Sequence, residues 1–171
     1  MTERELLDEA VEVFAEVRGL SYDFLAALSP ARLTMQLPRP DLDTFGKHFQ
    51  ELGDVQDCYV TALRRGVMDF GVIRHSFDQA LIRDKDSLAS FLRSKDEAMG
   101  ELLAGCDCGR RIAWAEGDSV SLVEFLSSLT RHEIFHHGQM VAFAYQAGVP
   151  LPASWTEQWA LPTRAGELYP A

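Results

Sequence analysis

Residues His132 to Gln139 read HEIFHHGQ. On a helix, His132 and His136 stand one turn apart, so they share a face with Cβ atoms ~5–6 Å apart. That spacing lets two imidazoles reach one divalent cation, each nitrogen ~2.0–2.1 Å from the metal. The apolar stripe through the same segment runs Leu122, Phe125, Leu129, His132, His136, Met140, Phe143 and Ala144. The histidines interrupt an apolar face, where an unpaired polar group costs stability. A shared metal would satisfy both rings. A pair of core histidines with ordinary hydrogen bonds is the plain alternative.

These residues need a long helix beneath them. Ser121-x-x-Glu124 fits a capping box at its start, and Gly148 followed by Pro150 fits its end. A second helix is expected from about Asp43 to Arg65, ending at Gly66, with Asp41 or Asp43 as its cap. Its inner stripe reads Phe45, His48, Leu52, Val55, Tyr59 and Leu63. His48 again interrupts an apolar series and is the natural third ligand beside the His132/His136 pair. Glu51 lies one turn from it. Two further helices are expected, from about Glu3 to Leu28 and from about Asp84 to Ala104, on their helical repeats of apolar residues. The proline-bearing stretch 29–40 reads as a connector and 105–118 as a loop anchored by Trp114. Residues 67–83 give no clear pattern, with His75 as a surface residue. Trp155 and Trp159 suggest that the tail, 151–171, packs back onto the helices. Nothing reads as a strand. Four long amphipathic segments predict an all-α protein, a helical bundle in one domain over 1–171.

Composition limits the partners. The chain has 171 residues, 47% of them apolar, and a net charge of −10. That charge, with no basic stripe, disfavours nucleic acid and anionic membrane surfaces. No apolar run reaches the ~18–20 residues of a spanning helix. The start, MTERELLDEA, lacks the regions of a signal peptide. Three cysteines, Cys58, Cys106 and Cys108, are expected as reduced thiols of a cytoplasmic protein. Cys106-Asp107-Cys108 is one residue short of the usual metal-binding pair and is expected as loop.

Two resemblances follow from these motifs. HEIFH matches H-E-x-x-H, the zinc metalloprotease helix in which the Glu is general base. The longer form is absent: Gly138 falls one position early and Ala142 stands where the third His belongs. A downstream ligand would have to be Glu157, and the sheet of such proteases is missing. His48 with Glu51, then HEIFHHGQ and an apolar helix into Gly148-Val149-Pro150, resembles the DinB superfamily over most of the chain. His137 stands where that family often has Arg. The resemblance implies a four-helix bundle with up-down-down-up connectivity, often a homodimer. It implies a metal site of His48, His132 and His136, with zinc the first choice and nickel the second.

Three neutral imidazoles and an open position suit a catalytic zinc site, whose water has a pKa near ~7. Glu133 is the nearest candidate general base and Glu51 the second. Some relatives are S-transferases using low-molecular-weight thiols, and one branch includes a thiol-dependent isomerase. The resemblance therefore implies a small-molecule substrate, possession of a hydrolase or thiol-transferase activity, or a non-catalytic ligand-binding bundle. Gln139 and His137 are candidates to hold the outer nitrogens of the metal-bound rings.

Overall fold

A computed structural model describes residues 1–73, 76–114 and 117–162. In chain order its helices are α1 (Glu3–Ala27), α2 (Pro30–Leu33), α3 (Phe45–Arg65), α4 (Lys85–Ala104), α5 (Leu122–Ala147) and α6 (Ala153–Gln158). Single 3-10 turns at Phe70–Val72 and Leu81–Arg83 fill the stretch that gave no pattern. His75 lies outside the described residues, as does the end of the tail.

Each long helix starts on a side chain that accepts a backbone N–H. Thr2 and Ser121 form reciprocal capping boxes with Glu5 and Glu124. Asp84 caps α4. The cap of α3 is Thr44 and not Asp41 or Asp43. Asp41 takes a left-handed φ of 67°, and the Asp43 carboxylate is drawn to Lys47, 2.7 Å away. Gly66 (φ 79°) and Gly148 (φ 63°) close α3 and α5 in the left-handed region, where the sequence places the stops.

Two connecting segments also need correction. The connector 29–40 contains the short helix α2, capped by Ser29 with Pro30 at its first position. The loop 105–118 contains a strand: β1 (Arg111–Ala113) pairs antiparallel with β2 (Ser119–Ser121). Three residues are too few for alternation to be legible. The pair fixes where α5 begins, because Ser121 both ends β2 and caps the helix. Trp114 anchors this corner against Tyr59, Phe70 and Phe125.

α1 packs on α4 and α5, and α3 packs on the same two helices. Arg4 donates to the Leu103 carbonyl and Lys85 to that of Ala26, so α1 and α4 are tied at both ends. Lys95 with Asp57 and Gln56 with Asp96 tie α3 to α4. The apolar core has two parts. One gathers Leu7, Phe14, Tyr59, Leu63, Leu103 and Phe125. The other gathers Phe24, Phe45, Phe49, Leu88, Met140 and Trp155. Along each long helix a polar layer separates them: Arg18 and Ser21 on α1, Gln56 on α3, Asp96 on α4, and Glu133, His136 and His137 on α5. All but Asp96 are buried. Val13, an apolar residue of α1, is 45% exposed. No helix among the described residues is long and apolar enough to cross a membrane.

Candidate metal centre

α3 brings His48 to α5. The His48 ring is fully buried, with Nδ1 3.0 Å from Nδ1 of His136. Nε2 of His136 lies 3.2 Å from Nε2 of His132. The three imidazoles thus meet, as the sequence predicts, but as a chain in which His136 turns one nitrogen to each neighbour. No group of three His, Cys, Asp or Glu among the described residues is arranged to hold a metal ion as it stands. Phe143, one turn beyond Met140, covers the His48 ring at 5.8 Å.

Burial keeps these rings neutral. It is the leading cause that lowers His48 and His132 to about 4, helped by the charges of Arg39 and Arg18 respectively. His136 is pushed down further, by burial first and then by its two imidazole neighbours. Neutral imidazole is the form that binds a cation. His132 Nδ1 and His48 Nε2 have no hydrogen-bond partner. Such orphaned nitrogens call for an explanation, an ion among them. The donor set and its protonation state fit a divalent cation of the zinc class.

Glu133 points the other way, toward α1. Ser21 Oγ donates to its Oε1 at 2.5 Å, and Arg18 Nη2 lies 2.9 Å from its Oε2. The second contact is an ion pair without hydrogen-bond alignment. Burial raises the Glu133 pKa against the pull of Arg18 and Ser21. The same Ser21 hydroxyl lies 2.7 Å from His137 Nε2, and the His137 ring lies 4.5 Å from that of Trp155 on α6. His137 therefore faces α1 and α6, with Nε2 engaged and Nδ1 without a hydrogen-bond partner. Gln139 accepts from Arg39, a half-buried cation on the segment before α3. Glu51 is half-buried on α3, one turn beyond His48.

With this geometry in view, the comparison with known families is informative: the model of the DinB family matches residues 1–164. The chain belongs to the DinB family. No curated protein matches it. Within the DinB frame, the HExxH glutamate sits in the layer that joins α5 to α1. Glu157, which a protease would need, is exposed on α6. Cys106 and Cys108 are free, half-buried thiols at the end of α4, and Cys58 is a buried one.

Arg18, Ser21 and Arg39 are the residues that sequence reasoning passed over. For the first two a signal existed. They stand four and seven positions after Phe14, inside the α1 stripe, just as His48 interrupts that of α3. Arg39 follows Pro38 in an irregular segment, where no periodicity points at anything.

Proposed function

We propose that this DinB-family protein is a divalent-metal-dependent enzyme acting on a small molecule, as a hydrolase or a low-molecular-weight-thiol S-transferase. The observation that carries this is the contact of three neutral imidazoles from two helices, His48 and His136 buried and His132 half-buried. His48, His132 and His136 would hold the cation, zinc first and nickel second. When bound, such a cation supplies Lewis acidity near neutral pH.

The chain's own residues have separable tasks. The three rings need not lose protons at neutral pH to bind. Glu133, gripped by Ser21 and Arg18, is a positioning residue that fixes the α5 face between His132 and His136. With Glu133 held by α1, Glu51, one turn from His48 on α3, is the carboxylate we assign to proton handling. A groove lined by Gln36, Leu37, Pro38, Phe143, Gln146 and Ala147 opens at the Phe143 side of His48, and is the approach for substrate. Arg39 adds a positive charge there.

The frame we propose is one DinB-like domain, an up-down-down-up four-helix bundle. Its support is the order of contacts. Arg4–Leu103 and Ala26–Lys85 set α1 against α4 in opposite senses. Asp57–Lys95 with the close approach of Gly53 to Phe91 sets α3 and α4 in the same sense. Ser21 facing both Glu133 and His137, with Leu6 and Val123 in one groove, sets α1 and α5 in the same sense. A cytoplasmic homodimer without nucleic-acid or membrane partners completes the proposal.

The test is elemental analysis of protein purified without chelator, beside its His48→Ala form. About one metal per chain, lost in the variant, is the expected result; equal content in both would remove α3 from the site. The chain-like run of nitrogens favours a second reading, a non-catalytic bundle of the family. That reading expects no metal in either protein and no turnover in esterase or thiol-exchange assays.

A further inference from the structure

A cavity of about 270 Å³ opens between α1 and α4, away from the imidazoles. Its walls are mostly apolar, with Val11, Phe14, Met99, Leu103 and Leu126, and Tyr22 and Asp96 bonded to each other on one side. Gly19 on α1 and Gly100 on α4 also line it, and a Cβ on either would meet nothing within 4 Å. The space exists because these two helices present no side chain there.

One wall is charged. Arg18 lines the cavity yet is only 2% exposed. Its Nη2 is used twice, by Gln56 Oε1 at 2.9 Å and Glu133 Oε2 at 2.9 Å. Its Nε lies 3.5 Å from Asp96 Oδ1. Neither Nε nor Nη1 has a hydrogen-bond partner. A guanidinium has five N–H donors, and a buried donor without an acceptor is costly.

We propose that this cavity binds a small neutral molecule, largely apolar, with one hydrogen-bond acceptor of the ketone, ester or amide class, anchored on the guanidinium of Arg18. The acceptor follows from the unpartnered N–H. The apolar body follows from the walls. Neutrality follows from charge: Glu133 and Asp96 already face the single positive charge of Arg18, so an anionic head would enter as an uncompensated buried charge. The volume lies near the lower end of ligand pockets, ~300 Å³, and suits a compact molecule. The site shares no residue with the imidazole cluster and does not depend on a metal being bound there.

The test titrates the full-length protein with three probes of matched size: acetophenone, ethylbenzene and benzoate. Methyl resonances of Met99, Leu103 and Leu126 locate binding. Acetophenone is expected to shift these three and to bind about tenfold more tightly than either other probe, a difference of ~1.4 kcal/mol. Gly19→Leu and Gly100→Leu fill the space, and Leu is a better helix former than Gly. Each is expected to weaken acetophenone at least tenfold with the helical circular dichroism unchanged. Ethylbenzene binding as tightly as acetophenone would mean that the guanidinium takes no acceptor from the ligand, and overturns the proposal. So would tighter binding of benzoate, or acetophenone shifts confined to other methyl groups.

Discussion

Ser21 is one hydroxyl with two buried clients, Glu133 and His137. Ser21→Ala strips both at once. Leaving a buried polar group unpartnered costs ~1–3 kcal/mol, so urea unfolding should show a loss of about 2–4 kcal/mol. A loss under ~0.5 kcal/mol would mean that water replaces the hydroxyl. The imidazoles supply a pH dependence. In metal-free protein His48 and His132 titrate near 4, His137 near 3 and His136 lower still, against 6.5 when free. Below pH 6.5 the unfolded chain takes up protons that the folded chain refuses. Stability is therefore complete above pH 6.5 and falls as pH drops toward 4, by ~1.4 kcal/mol per pH unit for each such ring. Glu133, with its raised pKa, opposes this as one group against four. Urea midpoints at pH 7, 6 and 5 check it; a flat series contradicts the burial of neutral rings.

At the scale of elements, two glycines do different work. Gly46 lies in the first turn of α3, where any Cβ would run into the Ile82 carbonyl. That backbone belongs to the turn leading into α4, and it has no room to retreat. Gly46→Ala should cost about 3 kcal/mol or more. Gly148 has open space around it and matters only for its φ of 63°. Gly148→Ala should cost only ~1 kcal/mol. Thermal midpoints that reverse this order would show that the α3 contact is looser than described. Gly46 sets the seat of His48 two residues on, whereas Gly148 only stops α5.

For the molecule as a whole, the described part of the tail, 151–162, is structural. Trp155 is fully buried, rests on Phe24 at 4.8 Å and on His137, and donates Nε1 to the Leu20 carbonyl at 2.6 Å. The indole thus joins α1, α5 and α6. Trp155→Ala should destabilise by ~3–5 kcal/mol and weaken the near-ultraviolet circular dichroism. If the tail served mainly to cover a partner, the isolated chain would unfold at an unchanged temperature.

Much of this was legible in the linear order of residues. The four long helices follow from repeats of 3.6, and the stops at Gly66 and Gly148 from backbone freedom. His48, His132 and His136 stood out because each breaks an apolar stripe. Those are local properties, carried by neighbours within a turn or two. What the sequence could not reveal depends on which face meets which. Glu133 looked like a partner of the histidines beside it, yet α1 draws it away through Ser21 and Arg18. β1 and β2 were too short to signal themselves. The α1/α4 cavity arises from Gly19 and Gly100, 81 positions apart and brought opposite each other only by packing. Pattern along a chain fixes helices and their buried sides; the pairing of those sides is a three-dimensional choice.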